Sequence, residues 1–215
     1  MILTMHYHQR KRVILHLMML MMIIAIWMVV INASSEDIQS IELTRLSLEM
    51  MSLLMPFMVL FIALDHHAPD LRPLDAFFGR SAMFFAKWLT SVIVFTYAWM
   101  MIILIQRSML TLLTGEIPSV LECHGFMMMH LDGILLITII PMIFKDKQKT
   151  LSILIPVAWI VLSMVLSDIN HRWIHDLFPI GIINDEISYL AYPYKLCYSV
   201  LVMIFAHQKS VWETI

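Results

Sequence analysis

Glycine, charge and cysteine are all scarce in this sequence, and each shortage excludes something. Only 14% of the 215 residues are charged, against roughly a quarter in soluble domains. With 60% hydrophobic residues and a mean hydropathy of +0.83, that rules against a soluble globular domain. Five glycines and no G-x-x-x-x-G-K-[ST] run leave no backbone cradle for phosphates, so the chain does not hydrolyse ATP alone. Cys123 and Cys197 are its two cysteines, too few and too far apart for a disulfide framework or a zinc knuckle. No Ser/His/Asp or paired-carboxylate pattern is present. No basic patch extends beyond short clusters between apolar runs, which excludes nucleic-acid binding.

What the sequence does have is apolar runs of membrane-spanning length. About twenty apolar residues cross a bilayer as a helix, and such runs recur at about 13–31, 46–64, 81–105, 126–144, 151–166 and 191–206. The first follows Arg10-Lys11-Arg12 and is longer than a signal-peptide core, so it reads as a retained span. Pro56 and Pro156 fall inside the second and fifth. Gln106 to Gly125, with Gly115, Glu116, Pro118 and Glu122, reads as an exposed connection. The 21 methionines read as unbranched apolar side chains facing lipid. The expected fold is an all-α integral membrane protein of six transmembrane helices, forming a single membrane domain over 1–215. Cytoplasmic N- and C-termini follow from the lysines and arginines, since Arg45, Arg107, Arg172 and Lys195 alone would fall outside. That asymmetry is the positive-inside bias.

The polar stretch from Asp65 to Lys87 separates spans two and three. Within it Leu71, Leu74, Phe77 and Phe78 recur at three- and four-residue spacings, the stripe of a short amphipathic helix. Pro73 suits a first helical turn, Asp70 and Asp75 suit its N-terminal end, and Gly79 lets the chain turn into the next span. Lys87 is placed to reach back to the interface along its own stem.

Six spans, a cytoplasmic N-terminus and an amphipathic cytoplasmic loop between spans two and three resemble the membrane subunits of type-2 ABC exporters. Gly79-Arg80 followed by Met83-Phe84-Phe85-Ala86-Lys87 looks like that family's start of the third span, and the long interval 168–194 is similar to its extracellular hairpin before the last span. The resemblance implies an exporter permease for a peptide, lipid or small amphiphile. It implies ATP on a separate cytoplasmic ATP-binding subunit, gripped through Leu71, Leu74, Phe77, Phe78 and Arg80, and no cofactor in this chain. It further implies a homodimer or a heterodimer with a similar permease in the plasma membrane; the low glycine count and short loops point to a bacterial one. The Asp65–Asp70 run departs from the Glu-x-x-x-Gly-Thr type run found there.

Further polar residues are candidates on their own chemistry. Asp132, near the start of the fourth span with His130 two residues away, is a pathway candidate because intramembrane carboxylates face a bundle interior or a wet cavity; a carboxylate wetted at headgroup level is the plainer reading. His130 and Asp132 point to different helix faces. His171 and His175, four apart, and His124 offer imidazoles that zinc or copper takes, which opens a metal-binding enzyme or sensor as the alternative. Without the glutamate of H-E-x-x-H, anchoring beside Trp173 in an aromatic belt is the plainer reading. A non-catalytic immunity or assembly protein is the third alternative.

Overall fold

The computed structural model describes residues 77–114, 120–143 and 191–212, with the positions 20, 24, 51, 55–60, 62, 154, 155, 157–162 and 165. Every described residue except Gly79 is helical. Three helices run unbroken: α1 (Arg80–Thr114), α2 (Val120–Ile143) and α3 (Ala191–Trp212).

Gly79 creates the start of α1. Phe77 and Phe78 are helical, Gly79 has φ +80°, and the helix resumes at Arg80. A positive φ is open to glycine and costs other residues, so the chain ends one helix and begins another within a single residue. The Gly79 carbonyl then accepts the amide of Met83 at 3.1 Å, the first hydrogen bond of α1. Beyond it no glycine or proline interrupts the chain before Gly115, and the helix runs for 35 residues, about 50 Å at 1.5 Å per residue.

The exposed connection expected over Gln106–Gly125 is therefore shorter than the sequence reading put it. Helix α1 continues through Gln106, Arg107 and Ser108 to Thr114, and α2 is under way by Val120. Gln106 is buried; its polarity does not mark a loop. The expected third, fourth and sixth spans correspond to α1, α2 and α3, each extended at one or both ends. Helices over Arg80–Ser108 and Cys123–Ile140 are long and apolar enough to cross a membrane, whereas α3 falls below the same apolarity.

The core gathers around Phe95, Ala98, Trp99 and Ile102 of α1 and Phe126, Met129, Leu136, Ile137 and Ile140 of α2, with Met51, Met55, Met58 and Val59 packed in. Ile24, Ile155 and Trp159 touch its edge. The methionines correct the sequence reading: Met51, Met55, Met58, Met83, Met128 and Met129 are buried. Their flexible thioethers fill gaps between helices, while Met100 and Met127 are on the outside.

Contacts fix the helix directions. Trp88 reaches Thr138, Phe95 stacks on His130 and Trp99 reaches Phe126, so α1 and α2 are antiparallel. Ser81, Phe84 and Phe85 at the start of α1 meet His207 near the end of α3, and His124 near the start of α2 meets Tyr192 at the start of α3. Helices α2 and α3 are parallel.

Polarity is inverted relative to a soluble bundle. The outward side chains of α1 are Phe85, Leu89, Ile93, Tyr97, Met100 and Leu104, spaced by three and four residues along one stripe, while Thr90, Ser91 and Gln106 are buried. In α3, Leu196, Val200, Leu201, Ile204 and Phe205 face out and Lys195 faces in.

Candidate functional site

The interior-facing charges meet between α2 and α3. Lys195 Nζ donates to Asp132 Oδ1 at 2.5 Å, with the two side chains 5% and 2% exposed. Asp132 is therefore buried between helices and is not the wetted carboxylate of the plainer sequence reading. It is inside the bundle, and Lys195, assigned by charge asymmetry to an outer loop, is inside with it. A charge taken out of water costs several kcal/mol even after relaxation, so the two are tolerated there because each is the other's counter-ion. The match is incomplete: Asp132 Oδ2 is buried without a hydrogen-bond partner among the described residues, and so is Ser199 Oγ. Ser199 lies four residues beyond Lys195, on the same face of α3.

Sequence reasoning placed His130 and Asp132 on different faces, and the two turn to different helices. His130 Nε2 and Thr96 Oγ1 of α1 are 2.9 Å apart, and the imidazole stacks on Phe95 at 5.5 Å between centroids, with the ring planes nearly parallel at 8°. Asp132 turns to α3. Gly133 explains how α1 comes so close: a Cβ there would lie 2.1 Å from Phe95 Cζ. Below this layer Trp88 Nε1 donates to Thr138 Oγ1 at 3.0 Å, and Thr138 donates to the Ile134 carbonyl at 2.9 Å. Thr96 with His130 and Trp88 with Thr138 thus pair polar groups helix to helix, as burial favours.

At the ends of the bundle, His124 Nδ1 and Tyr192 Oη are 2.6 Å apart, and Ser81 Oγ and His207 Nε2 are 2.8 Å apart. His207 also stacks on Phe85 at 4.9 Å and meets Phe84 edge-on at 5.5 Å. Among the described residues no three of His, Cys, Asp and Glu come together as a metal-binding group. His124 and His130 are held by separate partners; His171 and His175 lie outside the described residues. Of the expected ATPase-gripping residues, Leu71 and Leu74 also lie outside them. Phe77 is 87% exposed and in ring contact with half-buried Phe78, and Arg80 is exposed.

Lys195 is the buried charge that the sequence reading missed. The only signal was a lysine in an otherwise apolar run, and its partner is 63 residues away. No family model, curated protein or solved structure matches the chain.

Proposed function

We propose that this is a polytopic helical membrane protein in which α1, α2 and α3 are three of six spans, acting as the membrane subunit of a transporter. The observation that carries this is the Asp132–Lys195 pair, held inside a bundle whose outward faces are apolar. Ionisable groups inside membrane helices face the bundle interior, pair with each other and mark pathways for substrates or ions. The parallel course of α2 and α3 adds support, because the end of α2 and the start of α3 lie at opposite ends of the bundle. With Lys195 neutralised by Asp132, α3 can lie in a bilayer despite its lower apolarity.

The transporter reading extends to an exporter permease driven by a separate ATP-binding subunit. Phe77, bare at the sharp Gly79 turn, supports a grip just outside the start of α1. Affinity purification of the full chain from its native membrane tests this. An ATPase should co-purify and be lost with Leu74→Asp plus Phe77→Asp while the variant remains folded. An ATPase retained by that variant removes the coupling assignment.

A further inference from the structure

The α2–α3 ion pair leaves one lone-pair site open. Asp132 Oδ1 is occupied by Lys195, whereas Oδ2, in a side chain 98% buried, faces no donor among the described residues, and Ser199 Oγ on α3 is equally without one. A buried acceptor without a donor is costly, and this one is on a charged group. Its counter-ion is equally unusual in position. Lys195 is the fifth residue of α3, so its four-carbon stem can carry the ammonium to the helix start and water.

Helix α3 packs along α2 with few of its own side chains buried. Among its described residues only Lys195 and Ala206 are buried. Its polar ties to the other described helices include Tyr192 to His124 at one end, His207 to Ser81 at the other, and the ion pair between them.

We propose that Asp132 is a proton-binding site whose occupancy opens the α2–α3 clasp. A proton from water adds to the free lone pair on Oδ2 and the carboxylate becomes a neutral carboxylic acid. Lys195 keeps its own proton, loses the attraction of the Asp132 carboxylate and shifts toward the start of α3. Loss of the proton to water restores the carboxylate and recloses the pair. The ligand is the hydrated proton, and no other reactant is needed.

Among the described residues, the groups around Asp132 leave it as the site of uptake. On α2, His130 is turned to Thr96 of α1, and His124 lies eight residues away against Tyr192. Helix α1 has no Asp, Glu, Lys, Arg or His between Lys87 and Arg107, and its Tyr97 faces outward. On α3 the titratable neighbours of Lys195 are Tyr192, engaged with His124, and Tyr194, Cys197 and Tyr198, which face outward.

This rests on reading α2 and α3 as membrane spans, and its test does not use transport. The full chain, carrying Cys123→Ser and Cys197→Ser and spin labels at Met127→Cys and Leu201→Cys on outward positions of α2 and α3, is placed in lipid nanodiscs. Its interspin distances and its infrared spectrum with isotope-labelled aspartate are followed from neutral to acid pH. A carboxylic-acid carbonyl band for one buried aspartate should grow in step with a lengthened interspin distance. Asp132→Asn should lose that band and hold the longer distance at all pH. Asp132→Asn/Lys195→Met, which removes both charges and so does not depend on tolerating a lone lysine, should lack the band and show a pH-independent distance. A band that survives in the double variant, or a wild-type distance that ignores pH, overturns the proposal. Either result leaves the permease reading to stand or fall on ATPase co-purification.

Discussion

Lys195 and Asp132 are worth more to each other than either is to the fold alone. Lys195→Met leaves a carboxylate in the interior with no counter-ion, and breaking a buried pair this way costs about 3–5 kcal/mol. Removing both charges is close to neutral by the same reasoning. Thermal unfolding in one detergent should therefore rank wild type and Asp132→Asn/Lys195→Met together and Lys195→Met well below; equal loss in the single and double variants would mean that packing, not charge, sets the cost. Gly133 makes a different demand. A methyl at that position overlaps the Phe95 ring, and the ring is held by Trp99 and His130 on either side. Gly133→Ala should destabilise by roughly 1–3 kcal/mol, the range for overpacking. Phe95→Leu in the same chain should recover part of that, which a double-mutant cycle of unfolding midpoints reads directly.

At the scale of the helix, Gly79 is the hinge between the Phe77–Phe78 turn and α1. Nothing lies within 4 Å of a Cβ built there, so a substitution is opposed by backbone conformation alone. Gly79→Ala should cost about 1–2 kcal/mol for the left-handed φ, and Gly79→Asn less, because asparagine visits that region more readily. Limited proteolysis near Gly79 together with unfolding midpoints checks the order; identical behaviour of the two variants would show that φ relaxes. This turn was legible in the sequence because Gly79-Arg80 separates an apolar stripe from an apolar run. The far end of α1 was not. Gln106, Arg107 and Ser108 look like a loop, yet a helix ends where backbone breakers fall, and the first is Gly115. The existence and order of α1, α2 and α3 follow from apolar run length, which is local information. The Asp132–Lys195 pairing is not local: no periodicity within either helix encodes a contact between residues 63 apart. The two faces of α2, with His130 to α1 and Asp132 to α3, could be read from helical geometry, but the partner helices could not. The burial of the methionines escaped for a similar reason. An unbranched apolar side chain suits lipid and core alike, and only packing decides between them.

Across the whole bundle, the helix directions set which ends share a side. The start of α1 and the end of α3 meet through Ser81, Phe84, Phe85 and His207. The starts of α2 and α3 meet at the other end, through His124 and Tyr192, and the end of α1 lies there too. At about 50 Å by its rise per residue, α1 exceeds a hydrocarbon core of roughly 30 Å, so as the proposed span it would tilt or project, with its two ends in different compartments. Single cysteines at Phe77 and Lys209 should therefore react with a membrane-impermeant maleimide from one side of sealed, oriented vesicles. A cysteine at Thr114 should react only from the other, in a background of Cys123→Ser and Cys197→Ser. On the proposed topology, the positive-inside bias would put the Phe77 and Lys209 side in the cytoplasm. Labelling of Phe77→Cys and Thr114→Cys from the same side would mean that α1 does not cross the bilayer. The inverted polarity of the bundle would then require an apolar protein partner, instead of lipid, against Phe85, Leu89, Ile93, Tyr97, Met100 and Leu104. Opposite-side labelling assigns that stripe to the acyl chains, and with it sets the Asp132–Lys195 pair within the thickness of the membrane.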